Sequence, residues 1–182
     1  MEDKTITMPV IALRGMTVLP KMMIHFDISR SKSIAAVEKA MIGDQRVCLV
    51  TQKNSEEADP GVDELHSVGC VALIKQLVKI PNNVVRVMVE GQERVELLGL
   101  DSEEPMLVGE IGTLTESEDS LDYVTRQAMV RILKEKLEEY GKENPRMLKE
   151  VFPNLMMITD LGELLDQIAI QLTWDYKNRQ KV

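Results

Sequence analysis

Apolar residues alternate with other residues most regularly between positions 84 and 94. If this run is extended, one of its sides carries Val85, Val87 and Val89. This two-residue period predicts a β-strand whose valines fill the buried face of a sheet. An apolar run at Val68–Ile80 precedes it, and Pro81-Asn82-Asn83 favours a turn, because proline fixes φ and asparagine tolerates a left-handed backbone. The pattern predicts a long β-hairpin that breaks at Gly91, where the absence of a Cβ permits a sharp turn.

Shorter apolar runs continue this β-rich pattern through the first 116 residues. The further predicted strands are Met8–Leu13, Met22–Ile28, Arg46–Gln52, Glu93–Leu100 and Met106–Leu114. The segment Ser31–Ile42 has a helical period instead, with Ile34, Val37 and Met41 on one stripe and Ser31 or Ser33 as the N-terminal cap. We therefore predict six or seven strands and one helix in residues 1–116.

Helical spacing replaces the strand pattern from residue 117 onwards. The acidic segment Ser117–Ser120 predicts a helix start, because negative charge suits the positive end of a helix dipole. The first predicted helix is Leu121–Tyr140, which ends at Gly141, and the second is Arg146–Val151, which Pro145 opens and Pro153 closes. A third is predicted at Leu161–Leu172, with Thr159 or Asp160 as its cap. A fourth starts at Tyr176 after the cap Asp175. The fold class is therefore predicted to be α+β, with a β-rich domain at 1–116 and a small helical bundle at 117–182.

Composition and charge restrict the possible partners. The 182 residues are 44 % hydrophobic and 29 % charged, which is typical of a globular protein, and the net charge is −8. A protein that grips nucleic acid needs a basic stripe, so this charge argues against nucleic acid as the main partner. No apolar run approaches the roughly 20 residues that span a bilayer. Cys48 and Cys70 lie in strand-like runs, so we expect buried thiols in a cytoplasmic protein without membrane contact.

Signatures of catalysis are missing from the sequence. There is no phosphate-binding loop of the G-x-x-x-x-G-K-[ST] type, no G-x-G-x-x-G and no C-x-x-C pair. His25 and His66 are far apart and lack the spacing of metal ligands. The residues therefore predict a binding or structural module that is not an enzyme, with no catalytic residues, no metal and no cofactor.

A series of short motifs runs in a fixed order through nearly the whole chain. These motifs are Met8-Pro9-Val10-Ile11-Ala12-Leu13-Arg14, Leu19-Pro20, Arg30-Ser31-Lys32-Ser33, Val50-Thr51-Gln52-Lys53, Pro60-Gly61, Val68-Gly69, Val89-Glu90-Gly91-Gln92-Glu93-Arg94-Val95 and Asp160–Ala169. Each motif is weak alone, but the ordered series resembles the N-terminal domain of Lon proteases. Lys21 departs from the pattern, because many members of that family have glycine after Leu-Pro.

This resemblance implies a compact PUA-like β-domain followed by helices. It also implies a chain cut short before the AAA+ ATPase module and the serine–lysine protease domain of a whole Lon protease. The expected function is to recognise and hold unfolded or degron-bearing substrate proteins and to organise the hexamer with neighbouring Lon subunits. Two alternatives remain open: a PUA-like RNA- or DNA-binding module, which a continuous Lys/Arg patch would favour, and a stand-alone protein of the same domain type.

Substrate capture is predicted to use exposed apolar side chains. Unfolded proteins share apolar side chains and backbone, and methionine adapts its shape to many of them. The predicted contact residues are Leu19, Pro20, Met22, Met23 and Ile24 first, with Ile80 and Pro81 second, while Gly91 and Arg94 are assigned structural roles. A second interpretation also remains open, in which Met22 and Ile24 belong to the strand core and Met23 is an isolated surface residue.

Overall fold

The computed structural model describes residues 5–114, 121–172 and 174–182, with the side chains of all of these except 146–148. Two compact units are present, Met1–Leu114 and Thr115–Val182. The predicted helix start at Ser117–Ser120 lies outside the described residues. Within the described part of the chain, no helix is both long enough and apolar enough to cross a membrane.

The first unit is built on one six-stranded sheet in the order β2-β5-β4-β3-β1-β6. The strands are β1 (Ile6–Leu13), β2 (Met23–Ile28), β3 (Arg46–Thr51), β4 (Val68–Ile80), β5 (Val84–Ser102) and β6 (Val108–Thr113). Strands β1 and β3 are parallel, and the other pairs are antiparallel. The long β5 also pairs with β6, so β5, β4, β3, β1 and β6 form a closed ring with β2 added outside β5.

The predicted β-hairpin is present as β4 and β5. Ile80 pairs with Val84 across a connection in which Asn82 and Asn83 have φ values of 68° and 57°. Both asparagines are thus left-handed, as the turn prediction requires. The predicted inward face is also confirmed, because its three valines are buried in the sheet, namely Val85, Val87 and Val89.

The predicted break at Gly91 and the separate strand Glu93–Leu100 are both wrong. Strand β5 continues through Gly91 to Ser102, because its first part pairs with β2 and β4 and its last part pairs with β6. The irregularity at this glycine is a bulge, where Ala72 of β4 pairs with Gly91 and Val71 pairs with Glu93. Gly91 therefore does not turn the chain, but it allows the Leu19 backbone to approach β5 closely.

Helix α1 (Ser31–Ile42) has the bounds predicted from its period, but its cap and stripe differ. Arg30 occupies the cap position without a side-chain hydrogen bond, so the predicted serine cap is wrong. The buried residues are Ser33, Ala36, Val37 and Ala40, while Met41 is exposed. The helix contacts β1 and β3, and small side chains on that side allow a close approach to the sheet.

The second unit is helical, as predicted. Its helices are α2 (Tyr123–Glu143), α3 (Pro145–Glu150), α4 (Phe152–Met157), α5 (Leu161–Gln171) and α6 (Tyr176–Arg179). Their core contains Val130, Leu137, Leu155, Leu164 and Ile168. Gly141 is buried inside α2 and does not end it. Pro153 lies in the first turn of α4 and does not close α3, since a first-turn position needs no N–H donor.

We expect Asp160→Ala to lower the free energy of unfolding of the helical unit by about 1 kcal/mol, because Asp160 caps α5. Its carboxylate accepts a hydrogen bond from the Glu163 N–H at 2.8 Å. Trp174, the only tryptophan, reports urea unfolding of this unit by its fluorescence. Asp160→Asn is the matched control, since asparagine caps equally well. Equal midpoints for the alanine and asparagine variants would show that the cap does not stabilise α5.

Candidate functional site

The loop between β1 and β2, which contains three of the seven predicted contact residues, is hydrogen-bonded to β5. The Lys21 N–H donates to the Gly91 carbonyl at 2.8 Å, and the Gly91 N–H donates to the Met22 carbonyl at 2.9 Å. The Met22 N–H closes a turn onto the Leu19 carbonyl at 3.1 Å. Lys21 has a φ of 63°, a left-handed conformation that glycine adopts without strain. Lysine therefore replaces the family's common glycine at a position whose backbone favours glycine.

This attachment buries two of the predicted contact residues. Leu19 is 3 % exposed and Met22 is 7 % exposed, so the prediction that they form an exposed surface is wrong. The two backbone hydrogen bonds to Gly91 draw the loop against the sheet, and both side chains join the core. Pro20 is half-buried. Ile24 is half-buried opposite Val89, on the inner face of the sheet.

Met23 is the one large apolar side chain of this loop and strand that is well exposed, at 61 %. It lies on the outward face of β2, β5 and β4, together with four further apolar residues. We call this surface the outer strand face, and its apolar members are Met23, Val78, Ile80, Val84 and Met88. Ile80 and Pro81 are the second predicted contact residues. Ile80 belongs to this face, and Pro81 is exposed in the adjoining turn.

Strand register brings the apolar residues of the outer strand face close together. Met88 pairs with His25 of β2, two residues beyond Met23, so the two methionines are diagonal neighbours. On β4, the partner of Met88 is Gln76. Val78 lies two residues further along β4, so Val78 and Met88 are also diagonal neighbours. Diagonal neighbours of this kind are about 7–8 Å apart, within reach of long side chains. Apolar residues therefore occupy diagonally neighbouring positions on three adjacent strands, with polar residues between them.

Two ion pairs accompany these apolar residues. Arg86 holds Asp27 with two hydrogen bonds of 2.6 and 2.8 Å, and Lys75 lies 2.6 Å from Glu90. The hydrogen bonds from Arg86 lower the pKa of the Asp27 carboxyl below its usual range. Each of these charges is thus paired with its opposite, and the Arg86–Asp27 pair lies among the apolar residues, because Arg86 separates Met88 from Val84 on β5.

Sequence reasoning did not include Val78, Val84 and Met88 in the candidate surface. The signal was present, because the alternation that places three valines inward places Val84 and Met88 on the opposite side of the same strand. The sequence did not reveal that β2 lies beside β5 in the register that brings Met23 next to Met88.

The two cysteines and the possible metal ligands are a second group of residues with potential chemistry. Cys48 and Cys70 are free and buried, and burial raises the pKa of the Cys48 thiol to about 12. A thiol with so high a pKa is protonated at neutral pH and is a poor nucleophile. Among the described residues, no group of three or more histidine, cysteine, aspartate or glutamate side chains is placed to hold a metal ion. Arg94 is half-buried and pairs with Cys70 across β5 and β4.

Comparison with known families agrees with the motif series. Residues 7–182 match the family model of the ATP-dependent protease La (LON) substrate-binding domain. This chain belongs to that family. The resemblance to a Lon N-terminal domain, first drawn from short motifs, is thereby confirmed.

Individual relatives give the same result. The Lon protease of Lachnoclostridium phytofermentans is 37 % identical over 180 residues, which are 99 % of this chain and 22 % of that protein. The Lon protease of Bacillus thuringiensis is 36 % identical over 174 residues, which are 96 % of this chain and 22 % of that protein. The chain thus spans about a fifth of the length of the curated relatives it matches.

Solved structures share the fold. The N-terminal domain of the Mycobacterium avium complex Lon protease has a TM-score of 0.70 at 19 % identity, covering 96 % of this chain and 87 % of that one. A Lon N-terminal domain protein from Xanthomonas campestris has a TM-score of 0.51 at 13 % identity, covering 92 % and 99 % respectively. The predicted fold class, α+β with a β-rich first part, is confirmed.

Proposed function

We propose that this chain recognises and holds protein substrates for an ATP-dependent Lon protease, and that it does so through the outer strand face. The observation that carries the proposal is the diagonal run of apolar residues from Met23 through Met88 to Val78. An unfolded polypeptide presents apolar side chains in no fixed arrangement. A flat apolar surface with two methionines suits such a partner, because their flexible side chains adapt to different shapes.

The expected affinity is low. Burying one methionine against a bound segment contributes at most about 1.5–3 kcal/mol before the cost of ordering the segment is subtracted. A few such contacts give weak binding with little sequence preference. Weak binding suits a domain that accepts many substrates and releases them to a motor, which is the role we propose for this chain in a longer Lon protease.

We expect Met23→Ser/Met88→Ser to weaken binding of an unfolded polypeptide by about tenfold or more, since two buried apolar contacts are lost. The assay is titration of a reduced and alkylated, apolar-rich polypeptide, followed by fluorescence anisotropy. Met22 is left unchanged, because its side chain is buried and its replacement would destabilise the domain. Thermal melting of each variant checks that the fold is retained.

Met41→Ser/Ile42→Ser is the matched control for this experiment. Both side chains are exposed at the end of α1 and neither belongs to the outer strand face, so this variant removes exposed apolar surface from a different element. We expect it to bind like the wild type. If the two double variants retain equal affinity while both remain folded, the outer strand face is not the capture surface.

The remaining elements of the proposal concern the whole protein. We propose that the natural substrates are unfolded or degron-bearing proteins, that neighbouring Lon subunits are the other partners, and that the protein acts in the cytoplasm. Residues 1–116 and 117–182 are proposed to be separate domains, and ATP hydrolysis and peptide cleavage are assigned to other parts of a Lon protease. Nucleic acid binding is not favoured, because the basic residues of the outer strand face are paired with carboxylates, as in Arg86–Asp27 and Lys75–Glu90.

A further inference from the structure

The start of helix α1 has no cap of its own. Arg30 occupies the cap position without a side-chain hydrogen bond, and the first intrahelical bond runs from the Ile34 N–H to the Arg30 carbonyl at 3.0 Å. The amide groups before Ile34 therefore have no intrahelical acceptor, and the helix dipole adds partial positive charge at this end. A helix start of this kind favours an anion, but further groups are needed to make a site.

Ser33 supplies a buried hydroxyl at this helix start. Its side chain is only 7 % exposed, and it makes no hydrogen bond to any described residue. It borders two cavities, of about 200 and about 380 Å³, which meet at the start of α1. Because Ser33 lines these cavities, a ligand or a water molecule there can hydrogen-bond to its hydroxyl.

Two arginines line the smaller cavity beside Ser33. The Arg14 guanidinium donates to the Glu57 backbone carbonyl at 3.1 Å, and the Arg30 guanidinium donates to the Gln52 side-chain oxygen at 2.5 Å. Both acceptors are neutral, and neither arginine forms an ion pair with a carboxylate in the described part of the chain. Burial, and next the positive charge of Arg14, lower the pKa of Arg30. The carboxylates of Asp59 and Glu57 act in the opposite direction on Arg30, so its positive charge is partly balanced, although neither forms a direct ion pair with it.

Other charged groups distinguish the two cavities. Asp27 also lines the smaller one, but its carboxylate is held by Arg86. The larger cavity contains Lys32, which lies 2.7 Å from Asp59 and 3.2 Å from Glu104. Lys32 of the larger cavity is thus held by two carboxylates, whereas Arg14 of the smaller cavity, and Arg30, which lines both cavities, form no direct ion pair with a described carboxylate.

We propose that the smaller cavity at the start of α1 binds a phosphate dianion, free or carried by a protein, between Arg14, Arg30 and the Ser33 hydroxyl. Arginine suits this ligand, because its planar guanidinium donates pairs of hydrogen bonds to phosphate oxygens. The volume of about 200 Å³ suits a small ion, since pockets for organic ligands are usually about 300–1,000 Å³. This site is separate from the outer strand face.

The test is a titration of the 182-residue chain with sodium phosphate, in which sodium chloride holds the ionic strength constant. Binding is followed by isothermal titration calorimetry and by the rise of the melting temperature. A second arm compares a peptide that carries phosphoserine with the same peptide carrying serine. We expect saturable phosphate binding at millimolar concentration, and the phosphoserine arm decides whether a protein-borne phosphate also enters the cavity.

Three variants locate the site. Arg14→Gln and Ser33→Ala are each expected to weaken phosphate binding, Arg14→Gln by about tenfold because a charge-assisted hydrogen bond is lost. These positions are preferred to Arg30, whose contact with Gln52 makes its replacement a risk to folding. Arg46→Gln is the control with the same change of charge, because Arg46 pairs with Glu93 and does not line the cavity.

The results distinguish phosphate binding in the cavity from general electrostatic attraction. Binding of either phosphate source that is weakened by Arg14→Gln and Ser33→Ala but unchanged in Arg46→Gln supports the proposal. The proposal is overturned if chloride replaces phosphate with no change in heat or melting temperature. It is also overturned if all three variants bind phosphate equally, because the interaction would then be general electrostatic attraction.

Discussion

Replacing Gly91 by alanine is expected to destabilise the β-rich unit by about 3–5 kcal/mol, the largest effect of any single methyl group considered for this chain. A Cβ built on Gly91 would lie 2.1 Å from the Leu19 carbonyl oxygen and 3.2 Å from the Cys70 sulfur. The first distance is far below van der Waals contact. The obstacle is backbone, so a change of side-chain rotamer cannot relieve the clash.

The clash would separate the β1–β2 loop from β5. The two backbone hydrogen bonds between Gly91 and the loop, from Lys21 N–H and to the Met22 carbonyl, would be lost or weakened. Leu19 and Met22 would then lose part of their burial, which adds to the cost of the hydrogen bonds. Because this unit has somewhat more than 100 residues, the expected decrease of the melting temperature is roughly 10–20 °C.

Gly99→Ala is the matched control for Gly91→Ala. Gly99 lies on the same strand β5, and a Cβ added there would meet no atom within 4 Å. We expect its melting temperature to stay close to that of the wild type. A similar melting temperature for both alanine variants would show that the loop does not lie against Gly91 in solution.

Replacing Gln52 by leucine is expected to cost about 2–4 kcal/mol, because buried polar partners lose their hydrogen bonds. The Gln52 side chain is 0 % exposed. Its oxygen accepts from Arg30, and its amide nitrogen donates to the backbone carbonyls of Asn54 at 3.2 Å and Glu57 at 3.0 Å. One side chain thus connects the end of β3 to the start of α1 and to the loop that follows.

Leucine is similar to glutamine in size, so the variant removes the hydrogen bonds with little change of volume. The half-buried Arg30 guanidinium would lose its described acceptor, and two carbonyl groups would lose a donor. Gln76→Leu is the control, since Gln76 is exposed on β4 and surface substitutions usually change stability by less than about 0.5 kcal/mol. Urea unfolding of both variants tests this prediction, and equal midpoints would contradict it.

The elements of this fold were predictable where their cause is local. The strand period around Val87 and a cap at Thr159 or Asp160 were predicted from the sequence, because alternation and capping depend on residues only a few positions apart. The bounds of Ser31–Ile42 were correct for the same reason. Pro153 was misplaced because proline is compatible with both the end of one helix and the first turn of the next, and only the packed structure distinguishes the two.

The candidate site depended on contacts between distant parts of the chain. The sequence by itself assigned Gly91 a structural role, although as a break in the strand, and placed Met23 and Ile80 among the predicted exposed apolar side chains. Only the tertiary structure decided that Gly91 is needed for the approach of the Leu19 backbone and that the same contact buries Met22. Register between β2, β5 and β4 then placed Met88 beside Met23. Strand pairing joins residues more than sixty positions apart, and a local pattern of apolar and polar residues carries no information about which strands become neighbours.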